Sequence, residues 1–175
     1  MVWAKSRMVI RDYIFEPRRN LYLMWSGRIP SKICIEIYHL LQEIFSVPES
    51  HIMEMVSDWE TKEGNIKFKV GWRVIKEFDI YSYLRFDINI AGKIDKSGYG
   101  TISIAMKPRF FTEYPQDNIF QQTILYEILR RIWHVVFYEK KIFQYKEESR
   151  ILVMEFNRRL KELLESYSIT PPQTS

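Results

Sequence analysis

The side chains best suited to proton transfer, nucleophilic attack or soft-metal ligation near neutral pH are three histidines, His39, His51 and His134, and a single cysteine, Cys34. Such chemistry needs them close together. His39 and His134 fall in helical stretches and His51 at a strand entry, and no two have the short separation that turns two imidazoles toward one metal. His39 lies roughly 140° from Cys34 around a helix of 3.6 residues per turn, so the two cannot act as base and nucleophile on that element. Within KICIEI, Cys34 reads as a small buried hydrophobe. The string GKIDKSGYG has the glycines and lysines of a phosphate cradle, yet it stands between two strands instead of before a helix, which makes it a hairpin connection. No nucleophile-elbow or P-loop string occurs. The expectation is a non-catalytic protein with no metal and no cofactor.

The densest mixture of chemistry is LRRIWHVVFYEKK, residues 129–141, where Arg130, His134 and Tyr138 recur one helical turn apart, a trio able to hold an anion. A helical wheel separates its components. Ile124, Leu125, Ile128, Leu129, Ile132, Trp133, Val135, Val136 and Phe137 occupy an arc of about 220°, wider than an ordinary amphipathic stripe. Arg130, Arg131, His134, Tyr138 and Lys141 share the opposite strip. The pattern predicts a core helix with one solvated edge.

The elements that must position these residues follow from length and patterning. A chain of 175 residues with 46% hydrophobic content makes one domain that buries about two-thirds of its unfolded surface. One cysteine excludes an intrachain disulfide. The N-terminal MVWAKSRMVIRDY is too charged for a signal peptide, and no run of about 18 apolar residues is present, which predicts an intracellular, cytoplasmic protein. The net charge of +4 is spread thinly: residues 1–50 carry seven cations and five anions, 51–116 ten and nine, 117–175 nine and eight. No segment has the basic concentration of a typical polyanion binder.

RMVIRDYIFEPRRNLYLMWSGR reads as two extended runs around a turn at Pro17, a hairpin with Arg18 and Arg19 at its tip. From Ser31, Ile33, Ile37, Leu40, Leu41, Ile44 and Phe45 recur at helical spacing and stop before Pro48. Alternation then replaces helical periodicity. Ile66, Phe68, Val70, Trp72 and Val74 face one way and Lys67, Lys69 and Arg73 the other; Leu84, Phe86, Ile88 and Ile90, then Ile102, Ile104 and Met106, repeat the pattern. ETKEGN and GKIDKSG supply hairpin turns. The fold class is therefore α+β: an antiparallel sheet of about four to six strands with one covered face, packed around a long apolar helix from Asp117 to about Tyr138. This arrangement resembles the helix-grip shape. Residues 1–138 form the domain, 139–168 an amphipathic helical extension, and 169–175 a disordered polar tail.

Three surfaces could carry function. The extension presents Tyr145, Leu152, Phe156, Leu160, Leu163 and Tyr167 as a stripe that either folds back on this domain or serves a second copy or a protein partner, and the second copy or partner is the leading expectation. The alternative is a carrier whose cavity for a hydrophobic small molecule is walled by Trp72, Phe86, Ile88, Ile104 and Trp133. Third, the outward residues Lys67, Lys69, Arg73, Tyr81, Tyr83 and Arg85 form a basic, aromatic face for single-stranded RNA.

Overall fold

The computed structural model of the chain describes residues 9–17, 19–29, 32–114, 128, 132 and 138–169. In chain order they form β1 (Val9–Tyr13), β2 (Leu21–Arg28), α1 (Ile33–Phe45), a 3-10 turn (Glu49–His51), β3 (Ile52–Lys62), β4 (Asn65–Glu77), β5 (Ser82–Ile94), β6 (Tyr99–Glu113) and α2 (Glu139–Ile169). The fold is α+β, with a six-stranded antiparallel sheet and a C-terminal helix.

Strands β3 to β6 make a meander whose turns follow their sequences. Glu63 and Gly64 both take positive φ, 50° and 80°, the backbone of a two-residue primed turn that matches strand twist. At the β5–β6 connection Asp95 Oδ1 accepts from the Ser97 and Tyr99 amides at 2.9 and 3.0 Å, and Gly98 supplies φ 81°. Alternation then sorts the side chains. Phe68, Val70, Trp72 and Val74 of β4, Leu84, Phe86, Ile88 and Ile90 of β5, and Ile102, Ile104 and Met106 of β6 are all buried on one face.

Both described helices lie on that face. The apolar stripe of α1 buries Ile33, Ile37, Leu41 and Phe45, and a left-handed Ser46 ends the helix two residues before Pro48. Helix α2 buries Ile142, Val153, Phe156, Leu160 and Leu164. Phe156 meets Phe45 at 6.0 Å and Phe86 at 5.4 Å between ring centroids, so the two helices and the centre of the sheet share one core.

The expected N-terminal hairpin is not formed. β1 and β2 lie end to end along the same edge of β6, Val9–Tyr13 opposite Glu113–Arg109 and Leu21–Arg28 opposite Met106–Tyr99. The reason is length: fifteen residues of β6 extend about 50 Å, enough to pair with both segments in series. Between them Ile14 turns inward to 3% exposure, and its carbonyl accepts from Arg150 Nη2 of α2 at 3.2 Å.

The C-terminal helix folds back on its own domain, one of the placements its apolar stripe allows. Beyond the core contacts, Lys146 pairs with Asp12 of β1 at 2.6 Å and Arg159 with Glu43 of α1 at 3.3 Å. The predicted helix from Asp117 to Tyr138 lies mostly outside the described residues. Ile128 and Ile132, placed on its core-facing arc by the sequence, are helical and 51% and 52% exposed.

Candidate functional site

A concavity follows from how α1 meets the edge of the sheet. α1 lies over β4 and β5, whereas β3 is the terminal strand, and beyond Ile52 most of its residues are exposed. Register alone would send alternate β3 residues to opposite faces. A β-bulge at Met55 shifts the phase, so that Glu54 lies opposite Trp72, Ser57 opposite Val70 and Trp59 opposite Phe68. Glu54, Ser57 and Trp59 consequently all point to the face that carries α1.

The result is an open groove of about 490 Å³. α1 contributes Cys34, Ile35, Tyr38 and His39; the 3-10 turn and β3 contribute Glu49, Ile52, Glu54, Ser57 and Trp59; Val70 and Trp72 of β4 complete the lining. The volume falls in the small-molecule range, and an aromatic and aliphatic lining with a few polar groups is the usual composition of such sites. Trp59 stacks on Phe68 at 4.9 Å and 16°, and the Tyr38 ring lies 5.9 Å from that of Trp72.

Charge in the groove is one-sided. Glu49 and Glu54 are its carboxylates, and no lysine or arginine is among the described lining residues. Burial raises the Tyr38 pKa, helped by the Glu49 charge and by a hydrogen bond from the Tyr38 hydroxyl to the Glu49 carboxylate. Burial likewise pushes the Cys34 thiol up to about 11, far from the thiolate a nucleophile requires. The arrangement is therefore suited to holding an apolar body and a polar or charged end, with no activated thiol.

Of the five residues expected to wall a cavity, Trp72 lines this groove. Phe86, Ile88 and Ile104 sit deeper, at 0% exposure within the packed core, and Trp133 lies outside the described residues, as do Arg130 and His134. Of the interface stripe, Phe156 and Leu160 are fully buried and Tyr145, Leu152, Leu163 and Tyr167 pack partly against the core. The large apolar side chains that α2 leaves exposed are others: Phe143, Ile151 and Met154.

The basic sheet face is assembled in part. Lys67, Lys69, Arg73, Tyr83 and Arg85 share the face opposite α1 and α2, whereas Tyr81 sits in the β4–β5 connection against Tyr114 and Tyr138. Lys67 and Lys69 stand opposite Glu60 and Asp58, and the Tyr83 hydroxyl donates to Glu113 at 2.6 Å. Sequence reasoning missed the centre of this face. Asp87, 8% exposed, is enclosed by Arg73 at 2.7 Å, Arg85 at 3.1 Å and Arg109. Burial alone would raise the Asp87 pKa; hydrogen bonds from Arg85 and Arg73, then their charges, outweigh it and hold the carboxyl below its usual range.

Also unanticipated is a polar junction where α2 begins. The Tyr138 hydroxyl donates to Asp79 at 2.6 Å and lies 2.9 Å from Ser82 Oγ, which is 3.3 Å from Thr112 Oγ1. Asp79 Oδ1 also accepts from the amides of Tyr81 and Ser82 at 2.9 and 2.8 Å. The junction ties the β4–β5 turn to the helix. Among the described residues, no group of three His, Cys, Asp or Glu side chains is placed to hold a metal, and no helix is long and apolar enough to cross a membrane.

No family model matches the chain, and no curated protein sequence matches it. Among solved structures it is similar to a Staphylococcus aureus protein of unknown function, at 10% identity and a TM-score of 0.26, over 92% of this chain and 96% of that one.

Proposed function

We propose that the chain binds a small molecule with a hydrophobic body in the groove between α1 and the β3–β4 edge. The observation that carries the reading is the bulge-set wall: Glu54, Ser57 and Trp59 turn toward α1 at the strand where the described helices leave the sheet uncovered. An exposed Trp59, lining the groove of about 490 Å³ with Trp72 and Tyr38, is surface that a ligand of that size would bury. The arrangement resembles the helix-grip shape, with the ligand between helix and sheet at the edge instead of at the sheet's centre.

The reading by which the C-terminal stripe serves a partner has less support, because Phe156 and Leu160 are consumed by the core. The test uses N-phenyl-1-naphthylamine, a neutral apolar fluorophore, with the wild-type chain and with Ser57→Trp. Ser57 is exposed on an edge strand, so the new indole fills the groove with little strain on the core. Saturable one-site enhancement in the wild type, lost in Ser57→Trp, is the expected result. Equal enhancement in both proteins, or none in the wild type, would overturn the reading.

A further inference from the structure

We infer that the ligand of this groove is a cation: an organic ammonium ion carried on an apolar body. The inference rests on the groove being a ligand site and goes beyond it to the chemistry of the ligand. The chain as a whole is basic, with 26 lysines and arginines against 22 acidic residues, so a concavity of average composition would be neutral or positive. This one reverses the average. Its charged lining residues are Glu49 and Glu54, and neither carboxylate forms an ion pair with another described residue. The nearby β4 cations Lys67, Lys69 and Arg73 alternate with Phe68, Val70 and Trp72 and therefore project from the opposite face of the sheet.

The remaining walls favour the same charge. Tyr38, Trp59 and Trp72 bring three aromatic rings to the lining, and the quadrupole of an aromatic face attracts a cation, most strongly when the cation is weakly hydrated. Beyond burial, the Glu49 charge helps to raise the Tyr38 phenol pKa, which places one carboxylate close to the aromatic wall. A bare divalent metal is a poor occupant, because hard cations require six or more oxygen ligands and this lining is largely apolar. A quaternary ammonium group on an alkyl or aryl body suits both the aromatic rings and the two carboxylates of this lining.

The test is isothermal titration calorimetry of the full chain with three probes that share one tail: octyltrimethylammonium, 1-octanol and octyl sulfate, each well below micelle formation. The expected order is the ammonium ion tightest, by about tenfold over the alcohol, with the sulfate weakest. Glu54→Gln should narrow the ammonium ion's advantage over the alcohol severalfold, and 0.5 M salt should do the same. If alcohol and sulfate bind as tightly as the ammonium ion, the cation inference is overturned and the groove reading stands. If none of the three binds and the naphthylamine fluorophore fails as well, the groove reading itself falls and the inference with it.

Discussion

Trp59 lies flat on Phe68, with 4.9 Å between centroids and 16° between planes, and Phe68 in turn occupies the space above Gly92 where a side chain would stand. One groove wall is thus built on an absence. A Cβ at Gly92 would run into the Phe68 ring. Glycine is used here for its missing side chain, since its φ is not in the left-handed region.

Gly92→Ala should displace Phe68 and tilt Trp59 out of the groove. Overpacking of this kind costs about 1–3 kcal/mol. Urea titration should show that loss, and naphthylamine binding should weaken in the folded variant. A variant of wild-type stability and affinity would show that the Phe68 and Trp59 rings do not form a coupled wall.

Asp87→Asn should be among the more costly changes on the face opposite α1 and α2. It leaves Arg73, Arg85 and Arg109 clustered without a counter-charge, at an expected cost of about 3 kcal/mol, the low end for breaking a buried ion pair, because the arginine side chains keep 21–26% exposure. The carboxyl is held below its usual range, so the folded state favours ionised Asp87. Its stabilisation is therefore complete above the unfolded value of about 3.9 and disappears as pH falls through the lower folded value. Stability measured from pH 6 down to pH 2 should fall less steeply in Asp87→Asn than in the wild type.

Phe156→Ala separates a core helix from an interface helix. Phe156 is fully buried against Phe45 and Phe86, so truncation should cost about 3–5 kcal/mol, with a midpoint that does not depend on protein concentration. A variant that stays fully stable yet loses a higher-order assembly in sedimentation would return the helix to an interface role.

The sheet was legible because alternation is a local property. The inward sets of β4, β5 and β6 follow from side-chain parity alone, and ETKEGN announces its turn by one glycine. The N-terminal hairpin was misread because pairing is not local: nothing in residues 9–28 records that a fifteen-residue β6 would accept both strands on one edge. The C-terminal stripe was read correctly as apolar at Phe156 and Leu160, but periodicity does not name the surface that covers it. The groove was hidden by the Met55 bulge, since strict alternation would split Glu54 from Trp59, and the Asp87 cluster because Arg109 joins it from another strand. Trp72 was legible as an inward strand residue, and it lines the groove.

Tyr138→Phe removes one hydroxyl from the junction that fastens α2 to the β4–β5 turn. The lost bond is to the Asp79 carboxylate, and hydrogen bonds to charged groups contribute about 1.5–3 kcal/mol. The lower part of that range is expected, since Asp79 keeps the amides of Tyr81 and Ser82. Burial first, then the hydrogen bond to Asp79, push the Tyr138 phenol above the ordinary tyrosine range. The folded state therefore binds this proton more tightly than the unfolded chain. That contribution is fully present below the unfolded pKa of about 10 and is lost as pH rises above it toward the folded value. Wild-type stability should fall between pH 9 and pH 11, and the fall should be shallower in Tyr138→Phe. It should not vanish, because Tyr38 and Tyr145 are shifted in the same direction, each chiefly by burial. Identical alkaline limbs in the two proteins would mean that the Tyr138 proton is not what the junction holds.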